Sequence, residues 1–188
     1  RKQTKKGLIM SKFNNFMLQW GEDKFMHFMS GAAGYGITDS WTIVLIMAFG
    51  KELYDKYWGA CIPLFQECID RAMHGEMTVD DIYDRGLKGQ IYVIAVKNDD
   101  GEVPDVKLVL ALELVYYPQF TAMNVLALGG KDLRHNMKRF WKQVCGWAQI
   151  CGVTKIECLV APAMEKILQA QGFERKYSLL RQDLTKEV

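Results

Sequence analysis

A chain of 188 residues fits one domain and can bury roughly 70% of its unfolded surface, so its core needs no covalent staples. With 49% apolar and 24% charged residues the composition is that of an ordinary globular protein, which excludes wholesale disorder. The net charge of +2 excludes strong global attraction to nucleic acid or an anionic membrane.

Nowhere do about 18 apolar residues run together, so no membrane span is expected. Cys61, Cys68, Cys145, Cys151 and Cys158 make an odd count without a CxxC or Cys/His pairing. They read as reduced thiols of a cytosol-like compartment, packed as small hydrophobes, and no metal site is expected.

Residues 1–40 read as a basic and aromatic arm ahead of one domain at 41–188. The opening Arg1-Lys-Gln-Thr-Lys-Lys-Gly7 lacks an initiator Met, which suggests a trimmed or processed start, and it does not read as a signal peptide. Phe13, Phe16, Met17 and Trp20, then Phe25, Phe28 and Met29, recur at helical spacing around Gly21. Packing of this arm on its own domain and docking of residues 12–30 to a protein partner are both open. Gly31, Gly34 and Gly36 mark a loop.

Trp41 to Phe49 reads as a first strand. Lys51 to His74 sets Leu53, Tyr57, Cys61, Leu64, Cys68, Ile69 and Ala72 on one helical face, and Pro63 should kink that helix or start a new one. Thr78 caps a short second helix, with Asp81 three residues on completing a capping-box variant. A hairpin follows, with strands Ile91–Val96 and Val106–Val115 about an Asn98-Asp-Asp-Gly101 turn, then a third strand at Ala122–Leu128. Leu133, Met137, Phe140, Trp141, Val144, Ala148 and Cys151 form the clearest helical stripe, closed by Gly152. Lys155–Val160 reads as a strand, Ala163–Gln171 as a helix stopped by Gly172, and Tyr177–Leu184 as a last strand. The order β-α-α-β-β-β-α-β-α-β, with a right-handed parallel crossover between Ala122 and Val160, predicts an α/β domain with a mixed, partly antiparallel central sheet flanked by helices.

That order resembles the GNAT superfamily of acyl-CoA N-acetyltransferases. The stretches that carry the likeness are Val115-Tyr-Tyr-Pro118, Val125-Leu-Ala-Leu-Gly-Gly130, Trp147-Ala148 with Gly152 behind them, Gln171-Gly-Phe173, and Tyr57-Trp58 with Pro63 in the first helix. It covers residues 41 to 184 and is most similar to a divergent bacteriophage branch. The resemblance implies a GNAT-like fold with an N-terminal extension and acetyl-CoA lying between the strands at Ala122–Leu128 and Lys155–Val160. The backbone of Val125, Leu126, Ala127 and Leu128 would hold the pantetheine arm, with Gly130 and the following helix start at the pyrophosphate. It also implies an amine as the acceptor and a host-cytoplasmic or virion location.

The chain departs from the family's Gln/Arg-x-x-Gly-x-Gly/Ala phosphate loop, where Asp132, His135 and Met137 stand. Asp132 is expected to cap the helix with its carboxylate and repel an anion. Lys131, Arg134, His135, Lys138 and Arg139 crowd the same start, and Arg134, Lys138 and Lys142 make an i, i+4 stripe whose side chains can hold phosphates or simply face solvent. No aromatic is interleaved there, which argues against nucleic acid.

For catalysis, the family's frequent Tyr acid is replaced by Leu168, and Ala161 and Met164 stand where an Asn, Arg or Trp is often found. Tyr116, Tyr117 and Tyr177 are the substitute acids. Glu113 is the one carboxylate in Leu108–Val115. Alternation puts it with Val109, Ala111 and Val115, where partial loss of water suits a base near neutrality. Glu157 is the second candidate base, and each reads more readily as an exposed or salt-bridged sheet residue. Two functions follow: an acetyl-CoA-dependent N-acetyltransferase, or a catalytically silent scaffold acting as a virion component or host-protein binder.

Overall fold

A computed structural model describes residues 41–45, 51–73, 75–98 and 105–184. The aromatic arm, the glycine loop at 31–36, most of the Asn98–Gly101 turn and the end of the first predicted strand lie outside the described residues.

Alternation of apolar residues builds the sheet. β1 (Trp41–Leu45), β2 (Tyr92–Asn98), β3 (Asp105–Tyr116) and β4 (Thr121–Gly130) pair in chain order, each antiparallel to the next. β5 (Lys155–Cys158) then joins β4 in parallel, so the order is β1-β2-β3-β4-β5. The meander is the predicted one, with each strand one to three residues longer, whereas β5 stops two residues short of the expected Val160.

Two helical layers cover the sheet. α1 (Lys51–Ala72) runs unbroken through Pro63, so the fresh start expected there does not occur. Tyr57, Trp58, Cys61, Leu64 and Phe65 are buried against Val93, Ala95, Val109 and Ala111. α2 (Val79–Leu87) packs beside it through Val79 and Ile82, opened by the full capping box of Thr78 and Asp81.

The opposite face carries α3 (Leu133–Ile150), whose Met137, Phe140, Trp141, Val144, Trp147 and Ala148 cover Ile94, Leu110, Leu112, Met123 and Val125. Each fully buried Leu of this kind contributes roughly 1.5–3 kcal/mol by leaving water. α4 (Pro162–Gln169) adds Leu168 to that core, and Phe173 stacks on Trp141 at 5.4 Å. Gly152 and Gly172 both take positive φ after their helices, as their placing predicted.

One expected element is absent. Tyr177–Leu184 forms no strand: the segment makes no ladder, and Tyr177 and Leu180 are 92% and 91% exposed. Its composition suits a strand, but a strand exists only where a neighbouring edge takes up its N–H and C=O groups.

Candidate functional site: a fork between two parallel strands

β4 and β5 are paired only along Ala122–Val125 and Lys155–Cys158. β4 then continues from Leu126 to Gly130 without β5 beside it. The cause is local. On the other side of β4, Leu112 pairs with Val125 and Ala111 with Ala127, so Leu126 is an extra residue, a β-bulge. A bulge bends and twists its strand, and this one starts at the residue where the β4–β5 ladder ends. It also re-aims the side chains. Val125 and Leu128 pack toward α3, while Leu126 and Ala127 both pack toward α1.

The strand beyond the bulge is clamped by α1 at one residue and by β3 at the next. A Cβ on Gly129 would run into the Leu64 backbone carbonyl, and one on Gly130 would lie 2.5 Å from the Lys107 carbonyl oxygen. Only glycine allows these approaches. Lys107 is itself the odd residue where the β2–β3 register shifts, and its carbonyl accepts from the Lys131 N–H at 2.9 Å. Asn136, buried on α3, donates from Nδ2 to the Lys131 carbonyl at 2.6 Å. The β4–α3 turn is thereby fixed from both sides.

At the start of α3 the expected carboxylate cap is not made. Asp132 is the N-cap residue, but it sits in the left-handed region (φ 46°, ψ 50°) and its side chain bonds no helix amide. Side-chain capping needs an extended N-cap, which this conformation denies. The first turn holds no acidic residue. Lys131, Arg134, His135, Lys138 and Lys142 are all exposed, and no carboxylate pairs with them among the described residues. An uncapped helix start beside the free lysines and Arg134 is a fit for phosphate, against which, among the described residues, only the exposed Asp132 carboxylate works.

On the α1/α2 side a polar row crosses the sheet just before the fork. Glu113 pairs in register with Asn124, and Asn124 with Glu157. The two carboxylate-bearing strands are therefore about 10 Å apart, two strand spacings. Arg85 of α2 bonds Glu113 at 2.7 Å, with both side chains about one-third exposed (30% and 34%). Glu113 thus has a charged partner instead of the apolar surroundings the strand pattern predicts.

Glu157 accepts a 2.7 Å hydrogen bond from the Tyr117 hydroxyl, which raises the Tyr117 pKa and keeps the phenol protonated. The Tyr117 ring stacks on Phe120 at 4.7 Å, and its N–H donates to the Phe120 carbonyl. Of the three tyrosines named from sequence, this one alone meets a carboxylate among the described residues. The Tyr116 hydroxyl is buried without a hydrogen-bond partner on the α3 side near Cys151, and its pKa is raised by that burial. Tyr177 lies on the exposed tail.

Leu168, at the family's acid position, is 3% exposed and belongs to the core. Burial pushes the Cys151 thiol up to about 12 and Cys158 to about 11, so both stay protonated and poorly nucleophilic. Asn124 was missed by sequence reasoning although it is the one polar residue in Ala122–Leu128. Arg85 had no signal, because its meeting with Glu113 depends on how α2 lies over β3.

Among the described residues no group of His, Cys, Asp and Glu is gathered as for a metal, and no helix is long and apolar enough to cross a membrane. No protein-family model and no curated relative matches the sequence. Solved structures do match. A probable acetyltransferase is 8% identical with a TM-score of 0.57, over 78% of this chain and 99% of its own. An aminoglycoside N-acetyltransferase in complex with CoA is 13% identical with a TM-score of 0.56, over 81% and 99%. A GNAT family acetyltransferase of Staphylococcus aureus is 14% identical with a TM-score of 0.52, over 77% and 99%. The order of elements and this likeness together give the chain the fold of the GNAT acetyltransferases.

Proposed function

We propose that the protein is an acetyl-CoA-dependent N-acetyltransferase acting on a primary amine. The observation that carries this reading is the fork, where a bulged β4 leaves β5 and its open edge leads to a helix start beside unpaired lysines and Arg134. The backbone of Leu126 and Ala127, beyond the last β4–β5 pair at Val125, is suited to hold the carrier's amide arm, and the side chains of Lys131, Arg134, His135 and Lys138 its phosphates, with Gly130 keeping the approach narrow. Leu128 continues the same edge beyond them and turns its side chain toward α3. When bound, acetyl-CoA supplies an acetyl group activated as a thioester.

Glu157 is the base of this proposal. Its carboxylate takes the proton that the acceptor ammonium must lose before its nitrogen can attack. Glu113 is the weaker candidate, since Arg85 already holds it. Tyr117 is the acid: its hydroxyl keeps its proton and is oriented by Glu157 and by the Phe120 stack. Tyr177 would reach the site only if the tail moved.

The catalytically silent reading is favoured by one observation, the apolar Leu168 buried where an acid would stand. A virion or host-binding role through residues 12–30 belongs to that reading, and the phage-type origin rests on the sequence resemblance alone. Calorimetry with acetyl-CoA and thiol release over a panel of primary amines test the two together. The enzyme reading expects micromolar binding, about tenfold weaker in Arg134→Glu, which is roughly 1.4 kcal/mol. It also expects turnover that falls about 10²–10⁴-fold in Glu157→Gln with binding retained. No binding at millimolar acetyl-CoA overturns it; binding without turnover favours the silent scaffold.

A further inference from the structure

An ammonium of this chain already rests inside the cluster that the proposed reaction uses. Lys155 Nζ lies 4.0 Å from the centre of the Phe120 ring, Phe120 stacks on Tyr117 at 4.7 Å, and the Tyr117 hydroxyl donates to Glu157 at 2.7 Å. The electron-rich face of a ring attracts a cation, but only weakly where water reaches both, and Lys155 is exposed. Among the described residues no carboxylate pairs with it. Its hold on Phe120 is therefore easily given up.

Strand geometry sets where the ammonium can go next. Ile156 and Cys158 pack into the core beneath α3, so Lys155 and Glu157, which alternate with them, share the opposite face. Two residues of parallel strand advance about 6.6 Å, a gap the flexible four-carbon lysine stem can span. The backbone itself is pinned: the Thr154 N–H and hydroxyl both donate to the Thr121 carbonyl, at 3.0 and 3.3 Å. Lys155 stands opposite Ala122 and Glu157 opposite Asn124, one pair short of the fork. Turning the stem from Phe120 to Glu157 thus carries the nitrogen toward the fork.

We infer that Lys155 is a self-acetylation site, its Nζ receiving the acetyl group from the carrier bound in its own fork. This inference rests on the transferase reading given above. Glu157 takes the first proton from the ammonium, and the freed nitrogen attacks the thioester carbonyl carbon. A C–N bond forms and the C–S bond breaks. The departing thiolate takes the Tyr117 hydroxyl proton, and the second proton shed by the nitrogen restores the phenol. The products are an amide at Lys155, the free thiol and one proton left on Glu157 for solvent. The amide carries no charge, so it no longer competes with an incoming amine for Phe120 or Glu157.

The test incubates the full chain with acetyl-CoA and follows the intact mass and the lysine-bearing peptides. A single acetyl group at Lys155 is expected, gained at a rate per chain that dilution of the protein does not change. Lys155→Arg keeps the cation and should abolish the modification, and Glu157→Gln should slow it about 10²–10⁴-fold. The exposed Lys131, Lys138 and Lys142 are the internal comparison. Acetylation spread evenly over those lysines and indifferent to Glu157→Gln overturns the inference, because that is uncatalysed chemistry. Thiol release with added amines while Lys155 stays unmodified also overturns it and leaves the transferase reading standing. Absence of acetyl-CoA binding in calorimetry overturns both.

Discussion

The two faces of β3 and β4 are made from alternate residues of the same strands, yet they differ in kind. Toward α3, Leu110, Leu112, Met123 and Val125 meet Met137, Phe140, Trp147 and Ala148 in a core without a charge. Toward α1 and α2 the packing starts equally apolar, with Val109, Ala111 and Ala127, then gives way to Arg85, Glu113, Asn124, Glu157 and Tyr117 near the start of the fork. The difference teaches that one face supplies the rigidity against which the other can hold partly solvated charge. The bulge at Leu126 joins the two roles, since it bends the strand and swaps which residues face which layer.

The sharpest way to break this comparison is Trp147→Ala. Trp147 is 2% exposed and meets Tyr92 edge-on at 5.1 Å. Its loss should cost about 3–5 kcal/mol in urea unfolding. A cost under about 1 kcal/mol would mean that the α3 face is not the stabilising one.

Gly129→Ala probes the clamp between the faces. The new Cβ meets the Leu64 carbonyl, which is backbone and cannot swing aside, so α1 must shift away from β4. A loss of about 1–3 kcal/mol is expected, with a larger proportional loss of acetyl-CoA affinity than Trp147→Ala produces in the molecules that remain folded. Equal affinity in both variants would separate the clamp from the fork.

Much of this architecture is legible in the sequence, and the exceptions share a cause. The alternation of Leu108–Val115 and the stripe from Leu133 to Cys151 fix their own faces, because period alone says which residues meet the core. The capping box at Thr78 is equally local. Asp132 misleads because an aspartate before a helix caps only from extended backbone, and here the turn tied down by Lys107 and Asn136 places it in the left-handed region. Tyr177–Leu184 misleads because composition cannot supply a neighbouring edge. Glu113 was readable as a carboxylate among apolar residues, but the Arg85 that partners it comes from 28 residues away.

Arg85→Ala sharpens the polar side of the comparison. The pair is only about two-thirds shielded, so its loss should cost about 1 kcal/mol or less. That cost should disappear when Glu113→Gln is already present, a double-mutant cycle that isolates the pair from the contact the Arg85 Nη1 makes with the Met77 sulfur at 3.9 Å. A cost that persists in the Gln background would assign the stabilisation to the other contacts of Arg85, the Met77 sulfur first.

The smallest effect expected lies at the far end of α2 and depends on pH. Asp81 accepts from the Thr78 N–H at 2.8 Å and from its hydroxyl at 2.7 Å, and these bonds hold its pKa below the ordinary 3.8. A carboxylate lowered on folding contributes its stabilisation above the unfolded-state value and loses it as pH falls through the folded one. Asp81→Ala should therefore lower the unfolding midpoint at neutral pH, and the gap from the unmodified protein should close as pH drops below ~4. Because this carboxylate is fully solvent-facing, its bonds act through local geometry and not through a dry surround. A gap that stays constant into strong acid would show that the helix start is held by the Thr78 hydroxyl on the Asp81 N–H, with the carboxylate adding nothing.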